Sequence, residues 1–171
     1  MTVLLDDHLL RDWMAGPDPV LRRAVRRDDL ATTNLWYARL CKSAARSTRG
    51  ALLGCLPPTE RQAVIAGLVR LPENITVVPM RDLAWRMGML VAEHTGLSTL
   101  GSEAVAAAEA LGARVLASSR DDSPGIRQCC GRLAIRYSTI TPMSPRSLPP
   151  GGAGCTMGLG KGTPRRRSRR I

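Results

Sequence analysis

The sequence predicts an α/β fold in which a parallel sheet is covered by helices on both faces. Three observations carry this expectation. Short β-prone runs alternate with stretches of helical periodicity along most of the chain. The clearest of these runs, Arg114 to Ser118, has an apolar centre suited to a strand buried on both faces. Right-handed crossovers would place the strand ends on one side, and acids follow directly there: Asp6 and Asp7 after one run, Asp121 and Asp122 after another.

Taken in order, Thr2 to Leu5 is a strand that meets Asp6 and Asp7. Leu9, Leu10, Trp13 and Met14 then repeat at helical spacing up to Gly16. Asp18 with Pro19 opens a helix whose buried side is Val20, Leu21, Ala24 and Val25, and whose opposite side carries Arg22, Arg23, Arg26 and Arg27. Four arginines on one face suit contact with phosphates; the alternative is a solvated charged face. Leu30 to Thr33 is a second strand, and Asn34 caps a helix with Leu35, Ala38, Cys41 and Ala45 on its apolar side. Between Ser47 and Pro58 a loop or short helix is packed by Leu52, Leu53 and Leu56. Thr59 to Gln62 has a capping-box pattern and opens a helix through Ile65 and Leu68 that Pro72 stops.

Ile75 to Val78 is a third strand, leading into a helix from about Asp82 to His94, with Leu83, Met87, Leu90 and Val91 at helical spacing. Met80, Met87 and Met89 read as core fillers. Ser98 or Thr99 caps the next helix, which buries Ala104, Val105, Ala108 and Leu111 and ends at Gly112. Glu103 shares a stripe with Ala106, Ala107 and Ala110, residues small enough for another backbone to approach, so its carboxylate either points inward or simply favours the helix N-terminus. After the Arg114 to Ser118 strand, Ser123 and Pro124 start a helix with Ile126, Cys129, Cys130 and Leu133, and Ile135 to Thr139 closes the sheet.

A chain of 171 residues supports one domain, expected at residues 1–140. There is no Phe, so the core is built from Leu, Val, Ile, Ala and Met. No uncharged apolar run is long enough to cross a bilayer, and Asp6 and Asp7 stand where a signal peptide needs positive charge; the expected location is cytoplasmic, with no membrane partner. Five cysteines, two of them adjacent, fit neither a disulfide framework nor a zinc site and read as reduced thiols. The formal charge of +11 is concentrated in residues 141–171, which carry seven basic residues and no acid. That segment is rich in Pro, Gly and Arg, and its composition predicts disorder. It is either a basic arm that adds unspecific nucleic-acid affinity or what a shifted reading frame in a GC-rich gene would encode.

Carboxylates gathered at one rim of a sheet are suited to holding Mg²⁺ or Mn²⁺. Such a metal activates water and stabilises charge developing on a phosphate. The segments VLLDD, TTNLWYARL and SEAVAAAEALGARVL, with the acids that follow, resemble the PIN domain, the metal-dependent nuclease fold of many bacterial toxins in toxin-antitoxin pairs. The resemblance spans Thr2 to Thr139. It implies a PIN-like three-layer sandwich with five parallel strands, and hydrolysis of RNA. It also implies, as partners, RNA and either a cognate antitoxin or a second copy of the chain.

On this resemblance the family's first Asp matches Asp6 and its third acid matches Glu103. Asp121 and Asp122 fall where an auxiliary acid is common, so the implied metal set is Asp6, Glu103, Asp121 and Asp122, with Asp6, Glu103 and Asp121 catalytic. The family's Glu falls on Arg39 and its fourth acid on Ser119, so two of four main positions lack a carboxylate. Arg39 either points inward, pairing with Asp6 and Glu103 in place of a metal's charge, or lies outward beside Lys42 and Arg46. Three functions follow from these residues: a metal-dependent endoribonuclease with the Arg22 to Arg27 face guiding RNA, a catalytically inactive binding module for RNA or protein, or an interaction protein whose acids are caps and surface charges.

Overall fold

In the computed structural model, which describes residues 1–46 and 52–141, five parallel strands form one sheet in the order β3-β2-β1-β4-β5. The strands are β1 (Thr2–Leu5), β2 (Asp29–Thr33), β3 (Ile75–Val78), β4 (Arg114–Ser118) and β5 (Tyr137–Ile140). Seven helices cover them: α1 (Asp7–Ala15), α2 (Pro19–Val25), α3 (Asn34–Ala45), α4 (Pro58–Val69), α5 (Met80–Glu93), α6 (Thr99–Leu111) and α7 (Pro124–Arg132). This is the expected three-layer α/β sandwich with a central five-stranded parallel sheet. The basic segment from residue 142 onward and the start of the Ser47 to Pro58 stretch lie outside the described residues.

Alternation along the strands divides the core in two. Leu4, Ala31 and Val115 face one side, where Ala104 to Ala108 of α6, Leu83, Met87 and Leu90 of α5, and Ile126, Cys129 and Cys130 of α7 pack on them. Val3, Leu5, Leu30 and Leu116 face the other side, meeting Leu9 and Leu10 of α1, Leu21 and Val25 of α2, Leu40 of α3, and Val64 and Leu68 of α4. The small side chains of α6 explain its position. Eight consecutive residues, Gly101 to Ala108, are buried, so this helix lies deeper than an amphipathic one could. Gly112 ends it at φ +55°, and the Ala113 amide donates to the Ala108 carbonyl across 2.8 Å.

Leu52, Leu53 and Leu56 are buried as expected. The loop that carries them is tied down by Ser43 Oγ, which accepts from the Leu52 and Leu53 amides at 3.2 and 3.3 Å, and by the buried Arg11, whose Nη1 donates to the Leu52 carbonyl at 3.0 Å. Several boundaries differ from the sequence reading for identifiable reasons. Thr33, one residue before Asn34, caps α3 by accepting from the Trp36 amide, so the buried face is Trp36, Leu40 and Ser43 while Ala38 and Ala45 are exposed. The Thr59 to Gln62 pattern makes no capping hydrogen bond, because Pro58 already begins α4 with its φ preset and Pro57 stands at the cap. Val64, not Ile65, faces the core there. Helix α5 begins at Met80, two residues early, and Val91 and Leu111 are exposed. No helix among the described residues is long and apolar enough to cross a membrane.

The strand order sets the location of any site. Strand β1 pairs with β2 on one side and with β4 on the other, so the chain winds outward in both directions from the β1/β4 pair. Such a switch point opens a crevice at the carboxyl ends of the strands.

Candidate acidic site at the carboxyl rim

Where β1 ends, the backbone must turn from strand to helix, and Asp6 makes the turn. Its Oδ1 accepts from the Leu9 amide at 2.7 Å as the cap of α1, and its Oδ2 accepts from the Ser118 amide at 2.6 Å at the end of β4. Asp6 therefore joins the two central strands, with both oxygens spent on backbone amides. Burial pushes its carboxyl up to about 7, against the pull of those two amides, with Asp7 and Asp121 raising it further.

Asp7, the first residue of α1, is turned the other way. It is fully buried, and neither of its carboxylate oxygens has a hydrogen bond to a described residue. Arg39 Nε lies 2.9 Å from its Oδ2, close enough for an ion pair but without the alignment of a hydrogen bond. Burial raises this carboxyl to about 6; Arg39 works against the rise and Asp121 with it. Next to it, His8 has a buried Nδ1 without a hydrogen-bond partner among the described residues, and its Nε2 lies 4.0 Å from Asp121 Oδ2. Burial and Arg11 lower the His8 pKa, which favours the neutral imidazole, the form that can ligate a metal.

Asp121 reaches this group from the short 3₁₀ turn, Ser119–Asp121, that follows β4. It is 46% exposed, and Arg39 Nη2 sits 3.1 Å from its Oδ2. Arg39 thus points into the rim and bridges Asp7 and Asp121. The sequence reading offered Asp6 and Glu103 as its partners; the geometry gives the neighbouring acid of each strand end instead. Among the described residues, the side chains whose ligand atoms gather within 4.8 Å of one another are Asp7, His8 and Asp121. The oxygens of Asp7, which no hydrogen bond holds, with the imidazole of His8 and Asp121 make a donor set that could hold a divalent cation, and the nitrogen suits Mn²⁺ better than Mg²⁺, which prefers oxygens.

The other expected ligands are placed apart from this group. Glu103 is fully buried, as its alanine stripe suggested, but its Oε2 accepts from the Leu35 amide at 2.9 Å in the first turn of α3. It is a capping acid supplied from another helix, with Oε1 left without a hydrogen bond. Asp122 turns toward α7 and β5, where Arg127 pairs with one oxygen and the Tyr137 hydroxyl donates to the other at 2.7 Å. Ser119 meets Thr141, hydroxyl to hydroxyl, at 3.0 Å.

A cleft of about 230 Å³ opens at this rim, lined by Asp6, Arg39 and Asp121 with Ser98, Ser123, Trp36 and Tyr137 among its other walls. Arg22, Arg23, Arg26 and Arg27 are not part of it. Residues 26 and 27 run directly into β2, and the following Asp28 holds both the N-terminal amine of Met1 and Arg114 at the start of β4. The four arginines therefore occupy the amino rim of the sheet. With strands of four to five residues, they stand roughly 13–17 Å or more from the carboxylates, too far to line the same cleft.

His8 went unremarked in the sequence, and Asp7 was passed over for Asp6. A signal for the second existed: an acid three residues before Leu9 at a strand-to-helix turn is a cap by position, which leaves the next acid free to face elsewhere. Comparison with models of known protein families and with curated proteins finds no match to this chain.

Proposed function

We propose that this chain is a PIN-like protein that acts on RNA through a divalent cation held weakly by Asp7, His8 and Asp121, with cleavage slow because Arg39 competes for the same carboxylates. The observation that carries the reading is Asp7: a fully buried acid whose oxygens make no hydrogen bond with a described residue and pair only with Arg39, at the switch point of a parallel sheet, beside an imidazole and a second acid. Burying such a group with no hydrogen bond to hold it is costly, and a fold keeps it where a ligand completes it. A bound cation would supply activation of water and charge neutralisation at a phosphodiester. The chain's own residues do the rest. Asp6 fixes the first turn of α1, and so the direction of Asp7 and His8, by locking β1 to β4. Asp121, on the turn after β4, closes the group from the solvent side.

One observation favours a second reading, the inactive binding module. Arg39 already bridges Asp7 and Asp121 with a permanent positive charge, which satisfies the acids without chemistry. The two readings separate in one experiment. The full chain is incubated with a labelled RNA pool in Mn²⁺, in chelator, and as the Asp7→Asn and Arg39→Glu variants. Slow cleavage that chelator and Asp7→Asn abolish, and that Arg39→Glu accelerates, supports the enzyme. Absence of cleavage in every arm, with RNA still bound, supports the module. Fast cleavage by the unmodified chain would contradict the role given to Arg39, and cleavage indifferent to both chelator and Asp7 would remove the site from the chemistry altogether.

A further inference from the structure

A second concavity lies at the opposite end of the sheet from the acids. It is a broad groove of about 1240 Å³ lined by Arg22, Arg23, Arg26 and Arg27, with Pro17 and Pro19 among its walls. We infer that this amino-rim groove binds the phosphate backbone of single-stranded nucleic acid, without reading its bases and independently of the acidic rim.

The charge there is unbalanced within the fold. Arg23, Arg26 and Arg27 have no ion pair or hydrogen bond with a described residue. Arg22 donates from Nε to the Pro17 carbonyl at 2.7 Å, which fixes its stem and leaves its terminal nitrogens for another acceptor. The acid in the groove wall, Asp28, is spent: Arg114 binds its Oδ2 at 2.6 Å, and Arg114 also donates to the Ala24 carbonyl at the end of α2. Attraction to the C-terminal end of α2 accounts for a cation or two in its last turn. It does not account for four side by side, since pairs at i and i+4 repel.

Spacing and chemistry identify the ligand. Arg22 and Arg23 stand in the last turn of α2 and Arg26 and Arg27 in the turn that follows it, so the four line one groove within a few residues of chain, an array on which successive phosphates of an extended strand can sit. Guanidinium groups bind phosphate oxygens in pairs. The walls named carry prolines and no aromatic ring, so bases find no stacking platform and the contact is to backbone alone. An acidic protein is the other candidate, but a stable protein interface needs a buried aromatic or aliphatic anchor, and the groove lining provides none.

The test measures anisotropy of a short fluorescein-labelled oligouridylate on the full chain as salt rises from about 50 to 200 mM. The variants are R22Q/R23Q/R26Q/R27Q and the corresponding quadruple Lys variant, each made with and without R165Q/R166Q/R167Q so that the C-terminal arginines cannot mask the effect. If four phosphates are neutralised in the groove, the Gln variant loses about 3 from the slope of log K against log salt, and affinity falls about tenfold or more at low salt. The Lys variant keeps most of the slope, and Arg81→Gln, an exposed arginine of α5 outside the groove, leaves it nearly unchanged. In parallel, phenylglyoxal modification of the unmodified sequence, read by mass spectrometry, shows Arg22, Arg23, Arg26 and Arg27 protected by RNA; this arm stands whether or not the variants fold. Unprotected arginines, or an unaltered slope in a folded Gln variant, overturn the inference. Protection by poly-glutamate at lower concentration than by RNA overturns it in favour of an acidic polypeptide.

Discussion

Replacing Asp7 by Asn should stabilise the protein at pH 8 and leave it nearly unchanged at pH 4. Asp7 is fully buried, both oxygens lack hydrogen bonds, and its carboxyl is raised from 3.8 to about 6 by burial. A raised acid binds its proton more tightly in the folded state than in the unfolded one. Its contribution is therefore complete below the unfolded value near 3.8 and is lost as pH rises through the folded value near 6. The shift of about two units corresponds to ~3 kcal/mol of ionisation penalty at pH 8. Asparagine avoids that penalty but deprives Arg39 of its ion-pair partner, so the net gain is of the order of 1–2 kcal/mol. Urea denaturation at the two pH values measures it directly. Mn²⁺ adds a second axis: it should raise the melting temperature of the unmodified chain by mass action and do so less in Asp7→Asn. Equal destabilisation by Asn at both pH values would refute the account, because it would mean that Asp7 stabilises the fold as a charge.

Arg39→Gln, which keeps a polar side chain and removes the competing cation, should tighten Mn²⁺ roughly tenfold by calorimetric titration, and Arg39→Glu by more. Asp6→Asn should cost about 1–3 kcal/mol in urea denaturation, since an amide cannot accept from the Leu9 and Ser118 N–H groups together. Because the Asp6 carboxyl is raised to about 7, the unmodified protein should lose stability as pH climbs from about 4 to 7, a slope that Asp6→Asn reduces. Glu103→Gln should leave the Mn²⁺ shift intact and change stability by less than about 1 kcal/mol, as it retains an acceptor for the Leu35 amide; loss of the shift would restore Glu103 to the metal set.

Much of the fold was legible because it is written in local chemistry. Asp18 before Pro19, Ser98 before α6, Gly112 after it and Ser123 before Pro124 each end or begin an element where the sequence says so. The five strands follow from apolar runs whose neighbours on both faces are helices. Helix faces were less legible. In α3 the cap fell on Thr33, one residue early, and the tertiary packing of Trp36, Leu40 and Ser43 against two different layers overrode the alanine pattern. A one-residue error turns a helix by about 100°, enough to move Ala38 from the core to solvent.

The site was harder to read because adjacent acids are equivalent in composition and opposite in direction. Asp6 and Asp7 differ by one position at a strand-to-helix turn; the first bonds an amide on each side, and the second makes no such bond and faces Arg39. The same division recurs at the far strand, where Asp121 meets Arg39 while Asp122 meets Arg127 and Tyr137. In both pairs, one acid is spent on the scaffold and the other is left for the rim. The arginines show the complementary limit. Their sequence says that α2 has a charged face, but whether that face shares a cleft with the acids depends on which end of a parallel sheet it reaches, and residues that lead into a strand lie at its amino end. Opposite rims separate the basic groove from the acidic cluster, so an RNA held in one does not by that contact enter the other. On the reading proposed above, a phosphate approaching Asp7, His8 and Asp121 would meet Arg39 and the local cleft and not the arginines of the opposite rim.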